Sequence, residues 1–405
     1  MLVTAAVLWS ALQDPLGRAP GGRLEVQELV SPAAGDGLWP VFATSGDRRP
    51  WLLWTERGDS GARLMTSGWS VSGWLRPEEV ARGDDWFVNW ADFPQMAVSA
   101  EGLRLCSWLR KTGASSYAYE VRLASGSADG VWQPRGVLHR DRKPAEHGFV
   151  SLVPLPSGGF AAAWLDGRQE GEMALYGGLL SESGQLRDEY LLDPLTCECC
   201  QTDAVLLDDG TAVVAYRDRS AEEIRDIAVV RGRPEDAGSW REPVLVHRDR
   251  WRIPGCPVNG PALASDGERL AVVWYTLGAE GVPRVSCAFS EDGGASFGEP
   301  LQVDLGKPVG RVDALFQPSG ALLVSWLEYQ DGEACWMARE LSLHGAGPAV
   351  RLALASGERN AGFLRLGALG EAAAAGEGGA FATWTDPADR RLRLVRIRSG
   401  PANAD

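Results

Sequence analysis

Residues 321–326 read Ala-Leu-Leu-Val-Ser-Trp, a short apolar run that ends in an aromatic residue. Such a run, bounded by turn residues such as Pro318-Ser319-Gly320, is typical of a buried β-strand. The same pattern occurs seven times, and its final aromatic residues are Trp54, Trp108, Trp164, Tyr216, Trp274, Trp326 and Trp384. The intervals between them are 54, 56, 52, 58, 52 and 58 residues. This period indicates one repeated structural unit.

Each repeat contains further strand-like segments before and after the aromatic run, joined by turns rich in Gly and Pro. Four short strands per repeat predict an all-β fold, a β-propeller of seven four-stranded blades. The last repeat stops near Gly400 after three strands, and residues 23–30 form a spare strand that would complete it and close the ring. Six blades are the alternative count, and a row of β-sandwich domains is the alternative fold. We therefore expect one propeller domain over residues 23–400.

The charge of the chain limits its partners. Its 54 Asp and Glu against 40 Lys and Arg give a net charge of −14. A surface this acidic repels polyphosphate, so we expect no nucleic-acid partner. The sequence has no run of about 18 apolar residues, so we expect no membrane-spanning helix.

The ends of the chain lie outside the repeats. Residues 1–22 begin with an apolar run of signal-peptide length, but they lack a positive amino-terminal region and a clear cleavage site. We predict export, to the periplasm or the medium, with a buried or disordered segment as the alternative. Residues 401–405 are predicted to be a disordered tail.

A sharper motif lies between the third and fourth strands of the fifth repeat, where residues 290–297 read Ser-Glu-Asp-Gly-Gly-Ala-Ser-Phe. This matches the Asp-box pattern S-x-D-x-G-x-[ST]-[WF], in which the Asp side chain accepts backbone N–H groups of its own turn. Here the chain resembles the sialidase-like (Asp-box, BNR-repeat) propellers. It is also similar to a bacterial group of them that carries C-x-C-C-Q-T and W-R-I-P-G-C-P-V-N-G-P, which are residues 197–202 and 251–261 here.

Chain direction places the polar residues of the repeats on one face. The loops after the aromatic strands and the segments that enter each first strand should share one rim of the propeller, around its central channel. Convergent polar residues in such a place are the default binding-site hypothesis. We place the functional rim at the third to sixth blades, with ordinary solvated loops as the alternative for any single residue.

The resemblance to sialidases implies roles for some of these rim residues. Several Arg side chains would bind an anionic sugar by charge-assisted hydrogen bonds, and the candidates for substrate binding are Arg217, Arg219, Arg252, Arg311 and Asn259. Sialidases of this fold use a Tyr nucleophile helped by a Glu, with an Asp as acid and base. The candidate catalytic residues of these types are Asp92, Tyr275, Glu328 and Asp313.

The cysteines suggest a second chemistry at the same rim. Four of the seven lie in two neighbouring blade entrances, and with the nearest imidazole they form the candidate metal site His147, Cys197, Cys199, Cys200 and Cys256. Thiolate and imidazole ligands would suit copper or zinc. The alternatives are free thiols or a disulfide, either from Cys256 to one of the other three or between Cys199 and Cys200.

Three functions therefore remain open. The first is an exported sialidase-like protein that binds or hydrolyses an anionic glycan, or binds another anionic small molecule; if it is an enzyme, the resemblance implies an exo-sialidase-like glycoside hydrolase. The second is a metal-binding or redox propeller. The third is a non-catalytic scaffold that offers its rim to a partner protein.

Overall fold

The computed structural model describes residues 22–44, 48–127, 129–169, 172–370 and 379–402. The apolar amino-terminal run and residues 403–405 of the tail, for which we predict export and disorder, lie outside these residues. Within them, the strands form seven antiparallel sheets, and each sheet is one blade of a β-propeller.

Each blade consists of four main strands in chain order from the channel outward, except that the seventh takes its outer strand from the amino terminus. Blades one to three contain β2 (Leu38–Thr44), β3 (Pro50–Gly58), β4 (Gly61–Ser70), β5 (Gly73–Trp74), β6 (Glu78–Gly83), β7 (Gln95–Val98), β8 (Arg104–Lys111), β9 (Tyr119–Gly126), β10 (Trp132–Val137), β11 (His147–Pro154), β12 (Phe160–Gln169), β13 (Glu172–Leu180) and β14 (Leu186–Asp193). Blades four and five contain β15 (Asp203–Leu206), β16 (Ala212–Arg217), β17 (Ile227–Gly232), β18 (Val244–Leu245), β19 (Ala262–Ser265), β20 (Leu270–Thr276), β21 (Arg284–Ser290) and β22 (Leu301–Gln302). Blades six and seven contain β23 (Pro308–Phe316), β24 (Leu322–Gln330), β25 (Glu333–Ser342), β26 (Gly345–Ala346), β27 (Val350–Leu354), β28 (Arg365–Leu369), β29 (Gly379–Thr385), β30 (Leu392–Ala402) and β1 (Gly22–Leu29). The two-residue strands β5 and β26 are additions to blades one and six.

The ring is closed by the amino-terminal strand, as the sequence predicts. Strand β1 pairs antiparallel with β30, from Leu24 opposite Ser399 to Leu29 opposite Leu394. The seventh blade therefore joins the two ends of the described chain. This pairing confirms the count of seven blades and excludes six.

The core lies between neighbouring blades and not inside any one of them. In the cluster between blades five and six, Val273 and Val285 pack with Val324 and Trp326, and all four side chains are buried. Corresponding clusters join the other neighbouring blades, and because one sheet cannot cover both of its faces, only the closed ring buries them all.

The repeated Trp is fixed at the rim by a carboxylate two residues later in three blades. Its Nε1 donates to Glu56 from Trp54 at 3.0 Å, to Asp166 from Trp164 at 2.9 Å, and to Glu328 from Trp326 at 2.6 Å. A buried indole needs such an acceptor. The aromatic repeat thus sets the position of the second strands and of the loops that follow them.

The turn over residues 290–297 has the hydrogen bonds that its sequence predicts. Asp292 accepts the backbone N–H of Ser296 at 2.9 Å and the hydroxyl groups of Ser296 and Ser290. Burial opposes the charge of Asp292, but these donors outweigh it and lower the pKa of the carboxyl to about 2.

No helix in the described residues is long and apolar enough to cross a membrane.

Candidate functional site

The rim that the sequence predicts is formed by two sets of loops. Loops after the second strands meet the segments that enter the first strands, as the bridges between Trp86 and Arg110 and between Thr196 and Asp218 show. The polar side chains of this rim divide into an acid–base cluster, a set of arginines and a group of cysteines.

The acid–base cluster lies between blades two and three. The hydroxyl of Tyr119 donates to Glu146 Oε1 at 2.6 Å. The backbone holds both residues, because the N–H of Tyr119 donates to the carbonyl of Ala145 at 3.1 Å and that of Gly167 donates to the carbonyl of Glu146 at 2.7 Å. Tyr119 is buried, whereas Glu146 is partly exposed. Glu146 is therefore the member of the pair that a ligand in solution can reach.

Asp92 is the third member of this cluster. Its Oδ1 accepts the N–H of Phe149 at 2.8 Å, and its buried Oδ2 makes no hydrogen bond within the described part of the chain. Gly148 makes room for it, since a Cβ there would lie 1.9 Å from Asp92 Oδ2 and 3.2 Å from the ring of Tyr119. The structure thus brings an unpartnered carboxyl oxygen next to the Tyr119–Glu146 pair.

Burial sets the protonation of this cluster. It raises the pKa of Glu146 to about 7, against the hydrogen bond from Tyr119, and the negative charge of Glu198 raises it further. Burial also raises the pKa of Asp92 well above its usual range, and the N–H of Phe149 only partly opposes this. Glu146 can therefore both give and take a proton near neutral pH.

Glu198, whose charge acts on Glu146, is itself held by two arginines. Arg219 Nη1 and Arg225 Nη1 both donate to this carboxylate, the second at 2.6 Å. The same arginines also pair with Glu223. The rim thus places one neutralisable carboxyl, Glu146, beside one that is fixed between guanidinium groups.

Two of the four arginines predicted to bind substrate serve the backbone instead. Arg217 is buried and donates to the carbonyls of Arg225, Asn259 and Tyr275. Arg311 is buried too, donates to the carbonyls of Val258 and Arg359, and stacks on Trp90 with 4.6 Å to the ring centroid. Burial lowers the pKa of Arg311 to about 10. These contacts occupy all three guanidinium nitrogens of Arg217 and both Nη atoms of Arg311, whose buried Nε has no hydrogen-bond partner among the described residues.

The other predicted binding residues differ in how many of their hydrogen-bonding groups are already occupied within the protein. Asn259 accepts the N–H of Arg311 at 2.8 Å and holds the entrance to blade six. Arg219 is occupied by Glu198 and Glu223. Arg252 is exposed, and its guanidinium makes no ion pair or hydrogen bond to any described residue. Arg252 is thus the predicted arginine that remains available to an anion.

The predicted catalytic Tyr and Glu, Tyr275 and Glu328, are not hydrogen-bonded to each other. Tyr275 lies edge-on to Trp251, with ring centroids 5.7 Å apart. Glu328 is buried and accepts from Trp326, Leu305 and Lys307. Their catalytic roles stay predictions, while the Tyr–Glu pair that the structure contains is Tyr119 with Glu146.

Asp313 lies elsewhere, in the central channel. A cavity of about 620 Å³ runs between the first strands, and Asp313, Asp203 and Arg365 contribute to its wall. Asp313 accepts the N–H groups of Leu366 and Ala314, and its Oδ2 is 3.5 Å from Arg365 Nε. Burial raises the pKa of Asp313 and raises that of Asp203 to about 6.

The cysteines form one group at the entrances to blades four and five. Cys199 is bonded to Cys256, which confirms a disulfide from Cys256 to the other cysteines and excludes one between Cys199 and Cys200. Cys197 Sγ lies 3.5 Å from Cys200 Sγ and 4.0 Å from Cys199 Sγ. The sulfur atoms of Cys197, Cys199 and Cys200 all lie within 4.8 Å of one another.

The surroundings of Cys197 favour its thiolate. Its Sγ accepts a hydrogen bond from Arg225 Nη1 at 3.3 Å. The hydrogen bond with Cys200, then the charges of Arg217 and Arg225, lower the pKa of Cys197 to about 6 against its burial. Burial raises the pKa of Cys200 well above its usual range. One thiol of the buried pair is thus activated and the other stays protonated.

The structure does not bring His147 to the cysteines. Its ring stacks on that of His139 at 3.8 Å, its Nδ1 lies near the carbonyls of Tyr119 and Ala145, and its Nε2 is 3.2 Å from Asp141. The described His, Cys, Asp and Glu atoms clustered as potential metal ligands here are those of the three cysteines alone. Because the disulfide occupies Cys199, the free thiols of that group are Cys197 and Cys200. Copper or zinc binding stays a prediction.

Sequence reasoning included Asp92 among the catalytic candidates but assigned no role to Glu146 or Tyr119. The available signal was that Tyr119 begins a third strand, and third strands start at the rim where second strands end. This acid–base cluster lies between blades two and three, whereas the sequence predicts a functional rim at the third to sixth blades, and that location stays a prediction.

Comparison with solved structures identifies the fold. The chain is similar to a protein of unknown function from Dyadobacter fermentans, with 14% identity and a TM-score of 0.53 over 94% of this chain and all of that one. It is also similar to an ulvan lyase of polysaccharide lyase family PL25, with 9% identity and a TM-score of 0.51 over 95% and 96% of the two chains. A microbial sialidase matches with 12% identity and a TM-score of 0.44 over 72% of this chain and 63% of that one.

The first two similarities agree with the β-propeller fold of the chain. They concern the fold and not the activity, since both identities are below 15%. No protein-family model matches the sequence, and no curated protein is significantly similar to it.

Proposed function

We propose that this propeller binds and processes a glycan at the rim of blades two to four, with Glu146 as the acid–base group. The hydrogen bond from Tyr119 to Glu146 carries the proposal, because it fixes a partly exposed carboxyl whose pKa is about 7. Cleavage of a glycosidic bond needs a proton delivered to the leaving oxygen, and a carboxyl that is half protonated near pH 7 can deliver it.

The neighbouring carboxylate supports this assignment. Glycoside hydrolysis requires a second carboxylate that stays ionised, and two carboxyls in contrasting environments are the usual sign of such a pair. Glu198 is paired with Arg219 and Arg225, so it fits the ionised role beside Glu146. Tyr119 is buried, so its role is to position Glu146 and not to contact the sugar. Asp92 lies close to the ring of Tyr119, since both would contact a Cβ at Gly148.

The glycan we infer is anionic. Among the arginines predicted to bind substrate, Arg252 is the exposed one that no described carboxylate occupies, so it is available to a sugar carboxylate or sulfate. The solved neighbours include an ulvan lyase and a sialidase, and glycans are therefore a ligand class that this fold accommodates. The disulfide between Cys199 and Cys256 supports the predicted export, because disulfides persist in oxidising compartments.

The test is a substrate panel with matched variants. Purified protein is incubated with a fluorogenic sialoside, with uronate-containing polysaccharides and with neutral glycans, and released product is measured. Glu146→Gln should lower kcat by about 10²–10⁴-fold, the usual worth of a general acid. For the variant Tyr119→Phe, the matched control is Tyr117→Phe, since the side chain of Tyr117 is exposed and makes no hydrogen bond to a described residue.

The pH profile separates a chemical role of Glu146 from a structural one. If it acts as an acid, the rate should fall as the pH rises through about 7, where this carboxyl loses its proton. Tyr119→Phe removes a donor that lowers the pKa of Glu146, so the fall should move to higher pH. Folded protein that neither binds nor converts any glycan of the panel would refute the proposal, as would full activity in Glu146→Gln.

Arg252 tests the charge of the substrate. Arg252→Ala should raise KM for anionic glycans and leave neutral ones unchanged, because an exposed guanidinium contributes binding and not chemistry. Arg248→Ala, which removes an exposed arginine from the same segment, is the control. Equal effects of the two variants, or a preference for neutral glycans, would exclude an anionic substrate.

A further inference from the structure

The four clustered cysteines differ in exposure. Cys197 and Cys200 are each 1% exposed and have free thiols, whereas Cys256 is exposed and bonded to the partly buried Cys199. A two-electron donor and a two-electron acceptor therefore lie side by side, the dithiol inside and the disulfide at the surface. The glycan site proposed above uses none of these sulfur atoms.

We infer that the four cysteines form an internal thiol–disulfide relay, in which the buried pair Cys197 and Cys200 exchanges with the surface disulfide Cys199–Cys256. The inference stands on the distances from Cys197 Sγ, 4.0 Å to Cys199 Sγ and 3.5 Å to Cys200 Sγ. An attacking sulfur and its target must come to such a distance before a new bond forms.

The exchange balances without another reactant. The Cys197 thiolate attacks Cys199 Sγ, forming the bond between Cys197 and Cys199 and releasing Cys256 as a thiolate, which takes a proton from water. Cys200 then loses its proton and attacks Cys197 Sγ, forming the bond between Cys197 and Cys200 and releasing Cys199 as a thiolate, which takes up a proton. One dithiol is oxidised and one disulfide is reduced.

The surroundings of Cys197 suit the attacking role. Arg225 donates to its sulfur at 3.3 Å, and thiolates, not thiols, are the nucleophiles in such exchange. Cys256, as the exposed end, is the atom through which an external thiol or disulfide would exchange electrons with the relay.

The external partner is a thiol–disulfide compound or protein that can reach the surface. Cys197 and Cys200 are too buried for direct attack, so they would be reached only through the surface disulfide. Reduction by an external thiol should therefore begin at Cys256, and a bond between the buried pair should be the last to be reduced.

The experiment maps the sulfur bonds. Native protein is equilibrated in glutathione buffers of graded potential and alkylated with N-ethylmaleimide without denaturant. Peptides are then examined by mass spectrometry. We expect part of the wild-type protein to carry a Cys197–Cys200 bond together with alkylated Cys256. Cys287→Ser is the control, because its thiol is buried inside β21 and has no sulfur partner.

The variants isolate the two steps. In Cys200→Ser the exchange should stop at a Cys197–Cys199 bond, with Cys256 alkylated. In Cys197→Ser it should not begin, so the labelling of Cys256 is lost in the absence of reductant. Thermal unfolding of each variant, compared with Cys287→Ser, shows whether the fold persists.

Two results would overturn the inference. A wild-type protein in which Cys199–Cys256 is the sole bond at every potential, with Cys197 and Cys200 both reduced, would make the disulfide structural. All four cysteines protected from alkylation until a chelator removes bound zinc or copper would make the group a metal site. Both results can be obtained with wild-type protein and do not depend on the folding of a variant. Neither depends on whether the protein acts on a glycan.

Discussion

Replacing Glu328 by Ala should destabilise the propeller strongly, because this side chain holds the segment that enters blade six, residues 305–307, to the second strand of that blade. Its oxygens accept from Trp326 Nε1 at 2.6 Å, from the N–H of Leu305 at 3.0 and 3.1 Å, and from the N–H of Lys307 at 2.9 Å. The side chain is fully buried. Removing it leaves the buried indole N–H of Trp326 and the partly buried N–H groups of Leu305 and Lys307 without this acceptor.

The magnitude follows from these three hydrogen bonds. Leaving the buried indole N–H of Trp326 unsatisfied costs about 1–3 kcal/mol, and each hydrogen bond from a partly buried backbone N–H contributes about 0.5–1.5 kcal/mol, so the loss is about 4 kcal/mol. At an unfolding entropy of about 2.1 cal/mol/K per residue, a loss of about 4 kcal/mol lowers the Tm of a chain of 405 residues by about 5 °C. Glu328→Gln keeps one acceptor oxygen, so its loss should be about half as large.

The assay is thermal unfolding followed by Trp fluorescence, together with activity on any glycan that the protein converts. Glu333→Ala is the matched control, since Glu333 is exposed at the start of the neighbouring strand β25. A Tm change below about 1 °C in Glu328→Ala would refute the structural role. If that variant also lost activity while Glu146→Gln kept it, Glu328 would be the reacting carboxyl that the sequence suggests.

Three further predictions concern other parts of the fold. Asp292→Ala should cost about 1–2 kcal/mol in urea unfolding, because its turn loses its acceptor; equality with the exposed Glu291→Ala would contradict this. Removal of residues 22–29 should lower the urea midpoint, since it exposes the edge of β30, and an unchanged midpoint would mean that this strand does not close the ring. The raised pKa of Glu146, about 7, means that folding favours its protonated form. The contribution of Glu146 to the free energy of unfolding is therefore complete below the ordinary glutamate pKa, and it is lost as the pH rises through about 7. Between these limits the stability of the wild-type protein should fall relative to Glu146→Gln, and parallel pH profiles would refute the shift.

The fold was predictable because one physical requirement repeats along the chain. Each blade needs a buried second strand that carries a residue large enough to pack against the next blade, so an aromatic residue such as Trp164 or Trp274 recurs at a near-constant interval. Closure by β1 was predictable as well, because the seventh repeat lacked an outer strand. Extra short strands such as β5 left no comparable signal, since two residues carry no period.

The site was less predictable, because residue type does not reveal which hydrogen bonds are already satisfied. Arg217 and Arg311 are of the type that binds an anionic sugar, and yet backbone carbonyls take up their donors. The pairing of Cys199 with Cys256 could be proposed as one of several alternatives but not chosen, because the choice depends on how two loops approach each other. Tyr119 gave no signal of its own beyond its place at the start of a third strand.

The composition of a polar rim therefore does not identify a binding site. The better criterion is which polar groups still have unused hydrogen-bonding capacity in the folded protein. Most polar groups of this rim serve its loops: Glu328 holds the backbone, and Arg217 joins three carbonyls. Groups of this rim with capacity left for a ligand include Asp92 Oδ2, the partly exposed Glu146 and the exposed guanidinium of Arg252, while Arg110 Nε and Arg311 Nε are further buried atoms without a hydrogen-bond partner among the described residues. A buried carboxyl oxygen without a partner costs free energy that the fold gains nothing from, so its persistence points to a ligand or a proton. Because that oxygen lies beside the one Tyr–Glu pair found at the described rim, the acid–base assignment and the location of the glycan site stand or fall together.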